Sequence, residues 1–200
     1  MSIYEKLKSL VASNRPFSAA ETTAMGIPTQ ALVELCRRGE IERLCRGIYI
    51  SSRAEFTENT SFQIVAERVP SGVICLLSAL QFHGITTQLP NRVWVATKRG
   101  TWHPEIDYPP VQYVTLSEGM YSSGIEEHNL GGVNIKIYSV VRTVVDCFKF
   151  RNKIGLDVAI EALKEGRNKK MFTADQLWHV AKACRMDKIM HPYQETLNQH

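Results

Sequence analysis

Three observations in the 200-residue sequence predict an α+β fold. The first fifty residues alternate short amphipathic stretches with Gly and Pro breaks, and close on two β-like runs. The middle of the chain holds four more strand-like runs rich in β-branched residues, and the last third reads as helices of period 3.6. Strands segregated from trailing helices mark α+β rather than α/β organisation. The expectation is a small N-terminal domain, residues 1–53, followed by a larger α+β domain, residues 54–200. The larger domain should hold a small, largely antiparallel sheet and end in helices.

In the N-terminal part, Ser2 is placed to cap a helix in which Ile3, Leu7, Leu10 and Val11 recur at helical spacing. Arg15-Pro16 breaks it, because the residue before proline is pushed out of the α region. Ser18 starts a second helix, with Glu21 three residues on to complete a capping box. Gly26 closes that helix. Pro28 sits in the first turn of a third, where its missing N–H costs nothing, and Gly39 ends it. The runs "EIERL" and "GIYI" flank a tight turn, Cys45-Arg46-Gly47, in which Gly47 takes positive φ. Helix, short helix, turn, helix and hairpin is the order of a winged helix-turn-helix.

On a helical wheel, Ala31, Leu32, Leu35 and Cys36 fall on one side of the third helix and should face a core. Gln30, Val33, Glu34 and Arg37 fall on the other, with Arg38 at its margin. Gln30 near a helix N-terminus suits hydrogen bonding to base edges in a major groove, and Arg37 can reach a guanine or a phosphate. Arg43 and Arg46 lie where a wing would track phosphates or enter a minor groove. The candidate DNA contacts are therefore Thr29, Gln30, Val33, Arg37 and Arg38 on the helix, with Arg43 and Arg46 on the hairpin. Glu34, Glu40 and Glu42 oppose this reading, because carboxylates repel phosphate; a merely solvated polar face is the alternative.

Beyond residue 51, "SSRAEFTEN" is a polar connection, and "TSFQIVAERV" is a helix that Pro70 stops. "VICLLSALQFHG" is apolar on nearly every side and reads as a buried helix that begins as a strand and ends at Gly84. "RVWVAT", "VQYVTL", "GIEEHNL" and "VNIKIYS" are strands, the last two joined by a Gly131-Gly132 hairpin turn. "SVVRTVVDCFKF", "GLDVAIEALKEG" and "TADQLWHVAKAC" are helices with Ser139 and Thr173 as caps, and a last short helix bends at Pro192.

Composition narrows the function. The formal net charge of +4 permits an anionic partner without requiring one. Five cysteines form no CxxC pair, and Cys36 and Cys45 have no second pair to complete four zinc ligands, so no metal and no cofactor are expected. No apolar run approaches the roughly 20 residues of a membrane span, and the amphipathic start carries Glu5, so a cytoplasmic protein is expected. No GxxxxGK[ST], HExxH or GxSxG motif occurs, and Ser71-Gly72 alone makes no phosphate cradle. His83 reads as a packed or capping histidine. Glu126, Glu127 and Asp146 could serve a metal-dependent nuclease, but the strand-borne lysine that chemistry wants is missing. Arg142 and Asp146, four apart, read as a structural ion pair. The chain is expected not to be an enzyme.

The order of a winged helix ending in "RRGEIERLCRGIYI", then "SALQFHGITTQLP", "YSVVRTVVDCFKF", "GLDVAIEALKEG" and a closing "HPYQETL" resembles the AbiEi-type antitoxins. These are transcriptional regulators of abortive-infection, type IV toxin–antitoxin systems. The resemblance implies a repressor that binds inverted repeats in double-stranded operator DNA of its own operon. It also implies an antitoxin acting against a nucleotidyltransferase-like toxin, with Pro28 to Arg38 as reading helix and Glu40 to Ile50 as wing. A monomer or weak dimer is expected, with no membrane partner. A stand-alone regulator or a protein-interaction module without a toxin is the alternative, and a nuclease a more distant one.

Overall fold

The computed structural model describes residues 3–198, so the Ser2 cap lies outside the described residues. The chain divides into two compact units. One comprises residues 1–72, 101–112 and 127–136; the other comprises 73–100, 113–126 and 137–200.

The first unit opens with α1 (Ile3–Ala12), β1 (Phe17–Ser18), α2 (Ala19–Ala24), α3 (Thr29–Arg37), β2 (Ile41–Cys45), β3 (Ile48–Ser51) and α4 (Glu58–Arg68). Leu7 and Leu10 of α1, Phe17, Ile27, Leu32 of α3, Ile41 and Tyr49 bury together, and the Phe17 and Tyr49 rings stack at 6.2 Å. A three-stranded sheet of order β1-β3-β2 closes the cluster. The breaks fall where the glycines predict them, with φ of 78° at Gly26 and 70° at Gly39. Pro28 stands one place outside α3 as its N-cap.

Half of the expected capping box forms. Ser18 Oγ accepts from Glu21 N at 3.0 Å, but the Glu21 carboxylate turns away and forks onto Arg15. A bidentate carboxylate–guanidinium pair is stronger than a bond to a neutral N–H, so the arginine wins. A reciprocal box forms instead at α4, between Thr57 and Thr60. Half-buried Glu67 is pushed above its ordinary value of 4.5, chiefly by burial and secondarily by Glu21, while Ser18 and Arg15 oppose the shift. A raised folded-state pKa favours the protonated form. Its stabilising contribution is complete below pH 4.5 and is lost as pH rises through the folded value. Glu67→Gln should therefore remove a decline in stability on raising pH above 4.5, read from denaturant midpoints across that range.

The remaining elements are β4 (Val73–Ile74), α5 (Leu76–Phe82), β5 (Val93–Lys98), β6 (Val111–Leu116), α6 (Glu118–Tyr121), β7 (Ile125–Leu130), β8 (Val133–Tyr138), α7 (Val140–Lys149), α8 (Arg151–Ile154), α9 (Leu156–Asn168), α10 (Ala174–Ala183) and α11 (Asp187–Asn198). The five-stranded sheet has the order β6-β5-β4-β8-β7. In it β4 pairs antiparallel with β5 and parallel with β8, through Ile74 opposite Val95 and Ile137. The mixed α+β architecture agrees with the sequence reading. The expected strand-then-helix run "VICLLSALQFHG" is β4 followed by α5. The single-turn helices α6 and α8 carry too few residues to show a period, and α11 runs through Pro192.

Helix α7 is the centre of the second unit, buried on every side from Arg142 through Phe148. Ser139 caps it, accepting from Arg142 N. Helix α9 continues two residues past Gly166, the last residue of the run "GLDVAIEALKEG". A Cβ there would stand 2.4 Å from Cε1 of the Phe172 ring, so glycine is what lets the two segments touch. Gly166→Ala should cost about 1–3 kcal/mol through this overpacking, measured by urea unfolding, and Phe172→Leu in the same chain should recover part of it. Among the described residues no helix is long and apolar enough to cross a membrane.

Candidate nucleic-acid interface

The turn between α2 and α3 is held from within. Thr22 is buried, its carbonyl accepts Ile27 N at 2.9 Å, and Lys6 Nζ reaches the Met25 carbonyl at 3.1 Å. With this turn set, α3 presents two unlike faces. Leu32 is fully buried, and Ala31, Leu35 and Cys36 pack against the same core. Thr29, Gln30, Val33, Arg37 and Arg38 are exposed, Val33 by 62%. An isolated, exposed valine on a polar helix face is the size and chemistry of a thymine-methyl contact.

The hairpin follows at once. Cys45 is the last residue of β2, paired with Ile48, so the turn is the two residues Arg46-Gly47 rather than the three expected. Gly47, the second residue of the turn, adopts φ 78°, a left-handed conformation that glycine takes at no steric cost. The register slips between Arg43 and Cys45, a bulge that adds twist and re-aims neighbouring side chains. Arg43 and Arg46 are both exposed, and Arg43 Nε donates to the Cys45 carbonyl at 3.3 Å. The tip is anchored, since Ala19 N donates to the Gly47 carbonyl at 2.8 Å, tying the turn to the start of α2. Arg68 stands beside Gly47 and donates from Nη2 to the Glu105 carbonyl at 3.2 Å.

Electrostatics on α3 centre on Glu34. Arg37 grips its carboxylate with two bonds of 3.1 Å, and Arg38 Nε donates to Oε1 at 2.9 Å. The hydrogen bonds from Arg37 and then Arg38 hold the Glu34 carboxyl below its usual range, and Glu34 in turn raises Arg38. The sequence already held the signal, an acidic residue with arginines three and four positions on. Of the three carboxylates counted against DNA binding, Glu34 is thus tied up by two of the arginines counted for it, and this triplet carries a net single positive charge.

Other sequence candidates fall elsewhere. Cys36 is partly buried and Cys45 buried, and burial pushes both thiols up, as for packed hydrophobes. His83 lies at the end of α5 with Nε2 2.8 Å from the Tyr138 carbonyl. Glu126 and Glu127 are exposed neighbours on β7 and so point to opposite faces, while Asp146 is buried against Arg142. Among the described residues no group of three or more His, Cys, Asp or Glu side chains is placed to hold a metal ion.

No curated protein matches the chain. Over residues 5–51, from α1 through β3, it matches the family model described as a transcriptional regulator, AbiEi antitoxin.

Proposed function

We propose that residues 1–53 form a winged helix-turn-helix that binds double-stranded operator DNA, and that the protein represses its own operon as an AbiEi-type antitoxin. The observation that carries this reading is the division of α3 into a core face and an exposed face of Thr29, Gln30, Val33, Arg37 and Arg38, beside an anchored hairpin bearing Arg43 and Arg46. In this reading Thr29 and Gln30 meet base edges or phosphate at the helix N-terminus, Val33 meets a thymine methyl, and Arg37 reaches guanine or phosphate. Arg38 contacts backbone at the helix margin, and Arg43 and Arg46 grip phosphates or the minor groove.

Residues 54–200 are the proposed antitoxin domain, acting against a nucleotidyltransferase-like toxin. The family match supports the regulator and antitoxin class, and the charge pattern of α3 and the hairpin supports DNA as the ligand.

The test is a mobility-shift assay on upstream DNA carrying inverted repeats. Log affinity should fall with log salt by about 0.9 per phosphate neutralised, and the double variant Arg43→Ala/Arg46→Ala should flatten that slope on every sequence. Gln30→Ala should relax base preference and leave the slope unchanged. Indifference of the shift to all three substitutions would remove the winged-helix assignment.

A further inference from the structure

A cleft of about 520 Å³ opens between α1 and the junction of α3 with β2. Its floor is apolar, from Leu7, Val11 and Leu35, and three cations, Lys8, Arg38 and Arg53, line it against one carboxylate, Glu40. A volume of this size and an apolar floor bordered by charged groups are features that small-molecule sites share. We propose that this cleft binds a small organic anion with an apolar body, and that its occupation weakens DNA binding.

The charge excess selects the sign of the ligand, and the apolar floor selects its body. The coupling runs through Glu34. Arg38 lines the cleft and bonds Glu34 Oε1, and the same oxygen accepts Arg37 Nη2. An anion in the cleft competes for the Arg38 guanidinium. As Arg38 leaves, Glu34 is left to Arg37 alone, which holds that arginine more firmly off the duplex. The anion also cancels the net positive charge of the Arg37–Glu34–Arg38 triplet. Both effects oppose DNA, and by linkage DNA must weaken the anion by the same factor. This regulatory half rests on the DNA reading; the cleft itself does not.

The probe is 1-anilinonaphthalene-8-sulfonate, an apolar sulfonate, titrated by fluorescence into the full chain. One saturable site is expected. Lys8→Glu/Arg53→Glu should weaken it at least about tenfold by charge reversal, and Ala12→Phe should weaken it by filling the space. All three positions, Lys8, Ala12 and Arg53, are exposed, and unaltered circular dichroism confirms the fold. The probe should shift the side-chain Nε–Hε resonances of Arg37 and Arg38, and at saturation lower operator affinity about fivefold in the native chain and by clearly less in Glu34→Gln, where only the charge cancellation remains.

Binding that is multiple, or that ignores the charge reversal and Ala12→Phe, overturns the site. Self-association that competes with the probe also overturns it, since a second copy would then be the occupant. Unmoved arginine resonances, or an unchanged operator affinity at saturation, overturn the coupling. Absence of DNA binding under any condition sinks the DNA reading instead, and the fluorescence and resonance shifts still decide the cleft.

Discussion

Asp146→Ala is expected to destabilise the protein by about 3–5 kcal/mol, because it leaves a buried guanidinium without its counter-charge. Arg142 is fully buried and Asp146 is 1% exposed, with Nε donating to Oδ2 at 3.0 Å. The arginine does more than pair. Its Nη1 donates to the Ser123 carbonyl at 2.7 Å, its Nη2 to the Met120 carbonyl at 2.6 Å, and its guanidinium lies 4.6 Å from the centroid of the Tyr138 ring. Burial pushes the Asp146 carboxyl up against the pull of Arg142. Burial likewise opposes the Arg142 cation, but the charge and hydrogen bond of Asp146 outweigh it and raise its pKa.

The arrangement is a clamp that fastens the α6 segment to α7, and it distinguishes two substitutions. Asp146→Ala removes one acceptor. Arg142→Met strands that carboxylate and two carbonyls at once, so it should cost more, although methionine fills much of the volume. Urea midpoints give the order, and at roughly 2–4 °C per kcal/mol the alanine variant should lose about 10 °C in Tm. If Arg142→Met proved the milder change, the clamp would reduce to an ordinary ion pair. The Gly124 backbone, at φ 75°, belongs to the same device, since a Cβ there would meet Arg142 Cβ at 2.9 Å.

How much of this could be read beforehand depends on how local each cause is. Gly26, Gly39 and Gly47 were legible because each sits where only a positive φ lets the chain turn. The faces of α3 were legible because a nine-residue helix shows its period. Strand β1 was not, since two residues carry no alternation and exist as a strand only through Phe17 and Ser18 pairing with Tyr49 and Ile48. The allegiance of Glu21 was decided by Arg15, a competitor lying outside the capping motif. In the same way the i,i+4 spacing announced Arg142 with Asp146, but the carbonyls of Met120 and Ser123 come from segments far away in sequence. At the candidate interface, the exposed arginines were readable one by one. The common attachment of Arg37 and Arg38 to Glu34, which decides how available they are, needed the three to be weighed together.

That attachment yields a prediction of opposite sign to the usual loss on mutation. Glu34→Gln should tighten operator binding by about threefold to tenfold at low salt, from removing one negative charge on the exposed face and releasing two guanidiniums. Arg37 and Arg38 now each donate to the carboxylate, so neither can face a phosphate without first giving up a charged partner. With glutamine the acceptor is neutral and the competition weakens, and the salt slope should steepen by about 1–2 as further phosphates are neutralised. Arg37→Ala should instead weaken binding about tenfold or more, and if Arg37 reads a guanine the loss should be confined to sequences carrying it. The pair of results separates the readings. A solvated helix face leaves both variants silent. A face held off the duplex by its own carboxylate moves them in opposite directions, and the double variant Glu34→Gln/Arg37→Ala should then keep only the gain that comes through Arg38.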